Sequence, residues 1–255
     1  MRMILLATMV LLLTPAAGEA QDFTWRGRVA DGRTLEIRGV NGDVDAVRAR
    51  GNEILVTATK DARRSDPDDV RIEVVEHAGG VTICAVYPTR RNREPNECRP
   101  GGGRHNVQDN DVTVDFTVHV PAGVALDAHT VNGDIDVADL ESNVDAGTVN
   151  GSIDISTSGW ARASTVNGSI TAVMGSADWP GGAEFETVNG AIRLTLPSDV
   201  SANLTANTVN GDIETDFPVT VQGRWGPRRI SGTLGGGGRE LRLKTVNGGI
   251  TLRRR

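Results

Sequence analysis

Thr130-Val131-Asn132-Gly133-Asp134-Ile135 decides how this chain is read, because its core, Val-Asn-Gly-x-(Ile/Val), recurs seven times along the sequence. The copies centre on Asn41-Gly42, Asn132-Gly133, Asn150-Gly151, Asn167-Gly168, Asn189-Gly190, Asn210-Gly211 and Asn247-Gly248, and six of them are preceded by Thr. Self-similarity at a period of roughly twenty residues marks an architecture in which each unit buries its apolar face only against its neighbours.

Laid against one another, the copies show which positions are fixed. The sixth residue before each Asn is Leu35, Leu126, Val144, Ala161, Ala183, Leu204 or Leu241, and the fourth is Ile37, Ala128, Ala146, Ala163, Phe185, Ala206 or Leu243. Between these apolar positions stand Glu36, Asp127, Asp145, Arg162, Glu184, Thr205 and Arg242, the in-out-in alternation of a half-buried strand. After the corner the apolar phase resumes at Val44, Ile135, Ile153, Ile170, Ile192, Ile213 and Ile250. Each copy therefore reads as strand, Asn-Gly corner, strand. Gly accepts positive φ and Asn tolerates the left-handed region, which gives the pair a reason to mark a turn.

Such a corner serves either a β-hairpin in an antiparallel meander or a bend between the sheets of a solenoid. Identical corners favour stacking, which puts like beside like so that amides and hydroxyls can bond along a ladder. The predicted fold class is therefore all-β, a single-domain parallel β-solenoid of about twenty residues per turn. On the order of eleven turns at the strand spacing make a body roughly 50 Å long. The 37-residue interval between Asn210 and Asn247 reads as two turns, with Ile230-Ser231-Gly232-Thr233-Leu234 as a degenerate copy. Strands at 54–58, 70–75, 81–86 and 112–120 continue the body irregularly. Trp25 and the three terminal arginines read as caps. With 31 Gly and only 4% aromatic residues, helix should be scarce.

Residues 1–20 read as a signal peptide, with Arg2 before the apolar run Ile4 to Leu13 and a small-x-small site before Gln21. The mature domain is then 21–255, exported to periplasm, cell surface or medium, with no transmembrane segment expected. Export suits the two cysteines, Cys84 and Cys98, which read as a disulfide bracketing a polar loop insertion over 87–111; free thiols or a metal pair are the alternatives. Arg90, Arg91, Arg93, Arg99 and Arg104 in that insertion offer an anion patch, against the plainer reading of a solvated loop on a chain of net charge −6. An acidic chain without interleaved aromatics argues against nucleic acid as a partner.

No catalytic, cofactor or metal residue is assigned. The tempting acids Asp43, Asp45, Asp134, Asp136, Asp154, Asp212 and Glu214 do not hold their charge across the copies, whereas Asn and Gly never change. They read as exposed strand faces. His77, His105, His119 and His129 look scattered, and no nucleophile-elbow sequence is present.

The Thr-Val-Asn-Gly-Asp-Ile phrase, the Gly232-to-Gly238 approach to the last copy and Val118-His119-Val120-Pro121-Ala122-Gly123 together resemble the bacterial "putative adhesin" family of β-strand-repeat proteins, over about 30–255. The resemblance implies an exported β-solenoid called adhesin-like by analogy, with no catalytic residues to carry over. The expected function is a non-catalytic envelope or surface scaffold binding protein or glycan. The alternatives are a β-helix carbohydrate-active enzyme and an envelope-stress structural protein that self-associates through its solenoid ends.

Overall fold

The structure, a computed structural model, describes residues 23–89, 93–104, 107, 109–221 and 228–255. The signal peptide read over 1–20 lies outside the described residues. The first strands are β1 (Phe23–Gly27), β2 (Thr34–Arg38), β3 (Val44–Arg48), β4 (Ile54–Asp61), β5 (Arg71–His77), β6 (Gly80–Val86) and β7 (Thr113–Val120). Next come β8 (Ala125–His129), β9 (Ile135–Leu140), β10 (Val144–Gly147), β11 (Ile153–Thr157), β12 (Ala161–Ser164), β13 (Ile170–Met174) and β14 (Gly182–Glu186). The chain closes with β15 (Ile192–Leu196), β16 (Ala202–Asn207), β17 (Ile213–Thr215), β18 (Val219–Val221), β19 (Arg229–Leu234), β20 (Arg239–Lys244) and β21 (Ile250–Arg254). One 3-10 turn, Pro67–Asp69, is the only helical element among the described residues.

Two sheets face each other, one ordered β1-β4-β7-β3-β9-β11-β13-β15-β21-β17 and the other β18-β19-β16-β20-β14-β12-β10-β8-β2-β6-β5. Each Asn-Gly corner carries the chain from the second sheet to the first, and equivalent corners stack in parallel bridges from Asn41 to Asn210. The chain is thus a flattened parallel β-solenoid, as the repeat predicts. Inward side chains meet in register: Ile135, Ile153, Ile170, Ile192 and Ile250 are all fully buried. Each such side chain contributes roughly 1.5–3 kcal/mol before chain-ordering entropy is subtracted.

Stacking order departs from chain order at both ends. β20 lies between β14 and β16, and β21 between β15 and β17, so the Asn247 corner sits between those of Asn189 and Asn210. At the other end β2 and β3 insert between β6/β7 and β8/β9. Identical corners make this permissible, since any layer offers its neighbours the same surface. Residues 230–234 are not a degenerate corner: they belong to β19, which runs antiparallel to β16. The expected eleven turns become eight parallel layers, completed by antiparallel β1 and β4 on one sheet and by β5, β19 and β18 on the other. The eleven-stranded sheet still spans about 48 Å at the strand spacing. Trp25 does sit on an edge strand, β1, but Arg253 and Arg254 do not cap an end, because β17 lies outside them. There Arg253 pairs with Asp216 at 2.9 Å and Glu214 at 3.7 Å.

The reason for glycine at the corners also differs from the expected turn chemistry. Only Gly42 (φ 121°) and Gly133 (φ 155°) among the corner glycines have positive φ in the left-handed range, and no corner Asn does. What excludes a side chain is proximity. A Cβ on Gly151 would lie 2.0 Å from the Gly133 carbonyl oxygen, on Gly168 1.9 Å from that of Gly151, and on Gly190 1.9 Å from that of Gly168. The corner is a staircase of backbones in contact, and only glycine fits its tread.

Candidate functional site

Three side-chain rows run along the corner. Thr points in, and its hydroxyl donates to the glycine carbonyl of the layer before: Thr148 to Gly133 at 3.0 Å, Thr165 to Gly151 at 2.9 Å, Thr187 to Gly168 at 2.8 Å. Val149, Val166 and Val209 point out, Val209 at the β17 end the most exposed at 55%, whereas Val40 in the first corner is buried. The Asn amides form one continuous ladder in which each Nδ2 donates to the Oδ1 of the preceding layer at 2.7–2.8 Å, from Asn210 through Asn247, Asn189, Asn167, Asn150 and Asn132 to Asn41. Asn41 in turn reaches the Val112 carbonyl.

The acids tempting for catalysis separate into two groups. Asp43, Asp45, Asp134, Asp136 and Asp154 come together on the outer face of the first sheet, joined by Asp115, which sequence reading did not include. Asp115, Asp43 and Asp134 accept backbone N–H bonds from the next layer, from Asp43 (2.9 Å), Asp134 (2.8 Å) and Ser152 (2.7 Å) respectively. Each of these three carboxylates thereby ties one corner to the next. Asp45, Asp136 and Asp154 stand side by side in register, and partial burial followed by their neighbours' charges raises the pKa of Asp45 and of Asp136. Asp212 and Glu214 lie at the far end of the sheet.

The second sheet carries a constellation that spacing did not reveal. On the outer face of β2, Glu36 and Arg38 are both only 7% exposed. Arg38 donates to both oxygens of Asp127 on adjacent β8, at 2.7 and 2.8 Å, and to Glu36 Oε2 at 3.1 Å. His129 Nε2 lies 2.9 Å from Asp127 Oδ1, and His77 Nε2 lies 3.8 Å from Glu36 Oε1. Two of the four scattered histidines therefore close the ends of one chain of polar contacts. Burial opposes the Asp127 carboxylate, yet hydrogen bonds from Arg38 and His129 outweigh it and hold the carboxyl well below the usual range. Asp145, one strand further, is raised by burial and by the Asp127 charge. The His129 ring covers Gly147, where a Cβ would meet Nδ1 at 2.4 Å.

What buries this chain is the insertion. Between β6 and β7 it takes the place of an Asn-Gly corner, with the Tyr87 hydroxyl donating to the Val112 carbonyl at 2.8 Å; burial pushes that phenol up to about 12. The loop then folds back over the second sheet, where Cys84 and Cys98 form a disulfide with Cα atoms 5.6 Å apart. Val86 and Val75 pack on it as a small satellite core. Beyond the disulfide, Gly101 N–H donates to Glu36 Oε2 at 2.7 Å. Of the arginines that could have formed an anion patch, Arg99 pairs with Glu97 and Arg104 with Glu94, so these cations are engaged within the loop. Arg90, Arg91 and His105 lie outside the described residues. Between Gly101–Gly103 and the Arg38–His129 edge remains a shallow cleft of about 250 Å³.

Removing the disulfide by Cys84→Ser with Cys98→Ser is expected to cost about 3 kcal/mol through the freed loop. The roof should loosen while the stacked core persists. Hydrogen exchange should then rise at Gly101 and the loop but stay low at β10 to β15; equal loss of protection throughout would contradict this division.

Stacked corners, two facing sheets and antiparallel end strands define a β-solenoid of the strand-repeat class. The sequence matches the Toastrack DUF4097 family over residues 28–253, and the chain belongs to that family. Among solved structures it is similar to a putative cell adhesion protein from Clostridium sporogenes ATCC 15579, at 10% identity, covering 91% of this chain and 99% of that one, with a TM-score of 0.48. It is also similar to a putative adhesin from Bacteroides fragilis NCTC 9343, at 11% identity, 91% and 96% coverage and a TM-score of 0.30. A putative lipid binding protein from Parabacteroides distasonis ATCC 8503 matches at 10% identity, 91% and 96% coverage and a TM-score of 0.29. No curated protein matches the sequence. Among the described residues no helix is long and apolar enough to cross a membrane.

Proposed function

We propose that this chain is an exported, non-catalytic scaffold of the cell envelope or surface whose repetitive outer face binds protein or glycan. The observation that carries the reading is the row Asp45, Asp136, Asp154, Thr171, Arg193, Thr251 and Glu214, one residue per strand, in register across the first sheet. Polar groups repeating at about 4.8 Å suit an extended partner that itself repeats, and its contacts would be weak singly and strong in sum. The nearby acids support binding over catalysis, because Asp43, Asp115 and Asp134 are spent on backbone N–H groups. At one end of the stack the edge strands β17 and β18, three residues each, give little template for pairing with a further copy.

Residues 21–255, immobilised and presented with bacterial glycans and envelope fractions, test the reading. Retention without cleavage, weakened in steps as Asp136→Ala, Arg193→Ala and Thr251→Ala are combined, is the expected result. A cleaved glycan would replace it with an enzyme, and no retention of any fraction would remove the binding role.

A further inference from the structure

Seven Asn-Gly pairs raise a chemical question, since Asn followed by Gly is the sequence whose backbone nitrogen most freely attacks the preceding side-chain amide, there being no Cβ in the way. Six of the Asn residues are exposed in one kind of corner, and Asn41 is half-buried beside a buried Gly42, so exposure does not single out any one of the other six. Hydrogen bonding does. The N–H groups of Gly42, Gly133, Gly151, Gly168, Gly190 and Gly248 each donate to the Asn carbonyl of the next layer at 2.8–3.0 Å. Gly211, in the last layer, has no such acceptor among the described residues. The side chains divide the same way. Asn132, Asn150, Asn167, Asn189 and Asn247 each donate an amide bond to one neighbour and accept one from the other, and Asn41 accepts from Asn132 while donating to Val112. Asn210 donates to Asn247 Oδ1 at 2.8 Å, and its own Oδ1 receives no bond among the described residues.

We infer that Asn210-Gly211 is a self-modification site, deamidating in the folded protein while the other six corners are protected. The Gly211 nitrogen gives its proton to hydroxide and forms a bond to Asn210 Cγ. The Cγ–Nδ2 bond breaks, and ammonia leaves with a proton from water. Water then opens the resulting five-membered imide at either carbonyl, leaving aspartate or isoaspartate, with no oxidant or reductant involved. In the inner layers the nucleophile's proton is held by a carbonyl and the amide is held from both sides. In the last layer the Gly211 N–H is not held in this way among the described residues, and the Asn210 side chain keeps one amide bond, to Asn247, beside the residue's backbone bonds to Val246 and Gly248. The product carboxylate would face Asn247 Oδ1, where an amide donor stood, and would add negative charge beside Asp212 and Glu214. The change is one-way and confined to the β17 end, a built-in mark of the molecule's age.

Two fewer hydrogen bonds at ordinary net strength correspond to a reaction roughly ten- to a hundredfold faster. Folded residues 21–255 are incubated in mildly alkaline buffer made with heavy-oxygen water, digested, and mapped by mass spectrometry at each of the seven pairs. A parallel sample is held in denaturant to give the reactivity of the chain without its ladder. The expected result is conversion at Asn210 in the folded sample well ahead of Asn41, Asn132, Asn150, Asn167, Asn189 and Asn247, with all seven converting at similar rates when unfolded. An inner corner that keeps pace with Asn210 in the folded protein, or an Asn210 that survives as long as they do, overturns the inference.

Discussion

Gly168→Ala is expected to abolish folding. Its Cβ would lie 1.9 Å from the Gly151 carbonyl oxygen and 2.4 Å from that carbonyl's carbon, and both obstacles are backbone held on each side by further layers. A flexible side chain could swing away, but here relief requires the sheets to part at the middle of the stack. That would also break the Gly168 N–H bond to Asn189 and the Thr187 bond to the Gly168 carbonyl. The cost should exceed about 4 kcal/mol, a large share of a domain's entire stability. Gly51→Ala is the matched control, because nothing lies within 4 Å of its Cβ position and its φ is not positive. Circular dichroism on heating should show a native strand signal and near-normal Tm for the control and little folded protein for Gly168→Ala. Normal folding of Gly168→Ala would mean that the layers do not approach this closely.

Arg38→Met should give the second largest effect. The substitution keeps the stem and removes the guanidinium, stranding Glu36 and Asp127 beneath the roof with no cation between them. Breaking a buried ionic network in this way costs about 3–5 kcal/mol, or roughly 10 °C in Tm for a chain of this size. Acid should narrow the gap, and the sign follows from Asp127. Its folded pKa is depressed, so its stabilising contribution in the unmodified protein is present above the unfolded carboxylate pKa and is lost as pH falls through the folded value. In Arg38→Met that contribution is already gone, and protonation relieves the two stranded carboxylates. Denaturant titrations at neutral and acidic pH should therefore converge. A constant difference across pH would assign the loss to packing of the Arg38 stem instead of to charge.

The two predictions rest on features that were unequally legible. Corner phrases and the in-out-in residues before them were plain, because both follow from the local period of a strand. Even Glu36, Asp127 and Asp145 were placed outward. That Arg38 lies between Glu36 and Asp127 was not readable, since 89 residues separate Arg38 from its partner and only the register of β2 against β8 joins them. Positive φ accounts for Gly42 and Gly133 but not for the other five corner glycines: φ is a local property the sequence suggests, whereas contact with the next layer's carbonyl exists only after stacking. Layer order was hidden by the repeat itself. Copies similar enough to stack on any other copy carry no mark of their neighbour, and so the displaced last repeat left no local sign. The 37-residue gap before Asn247 was that displacement, with β18 and β19 carrying the chain across the end.

Stacking order is the claim from which the ladder, its open end and the outer rows all follow, and cysteine pairs test it directly. Arg193, Thr251 and Glu214 point outward on β15, β21 and β17, with Thr251 in register between the other two. Cysteines one strand spacing apart, about 4.8 Å, can form a disulfide, whereas two spacings, about 9.6 Å, lie beyond its reach. Mild oxidation of folded protein should link the pair made by Arg193→Cys with Thr251→Cys and the pair made by Thr251→Cys with Glu214→Cys, but not Arg193→Cys with Glu214→Cys. Efficient linkage of the last pair, with none of Arg193→Cys to Thr251→Cys, would return the layers to chain order and contradict the account.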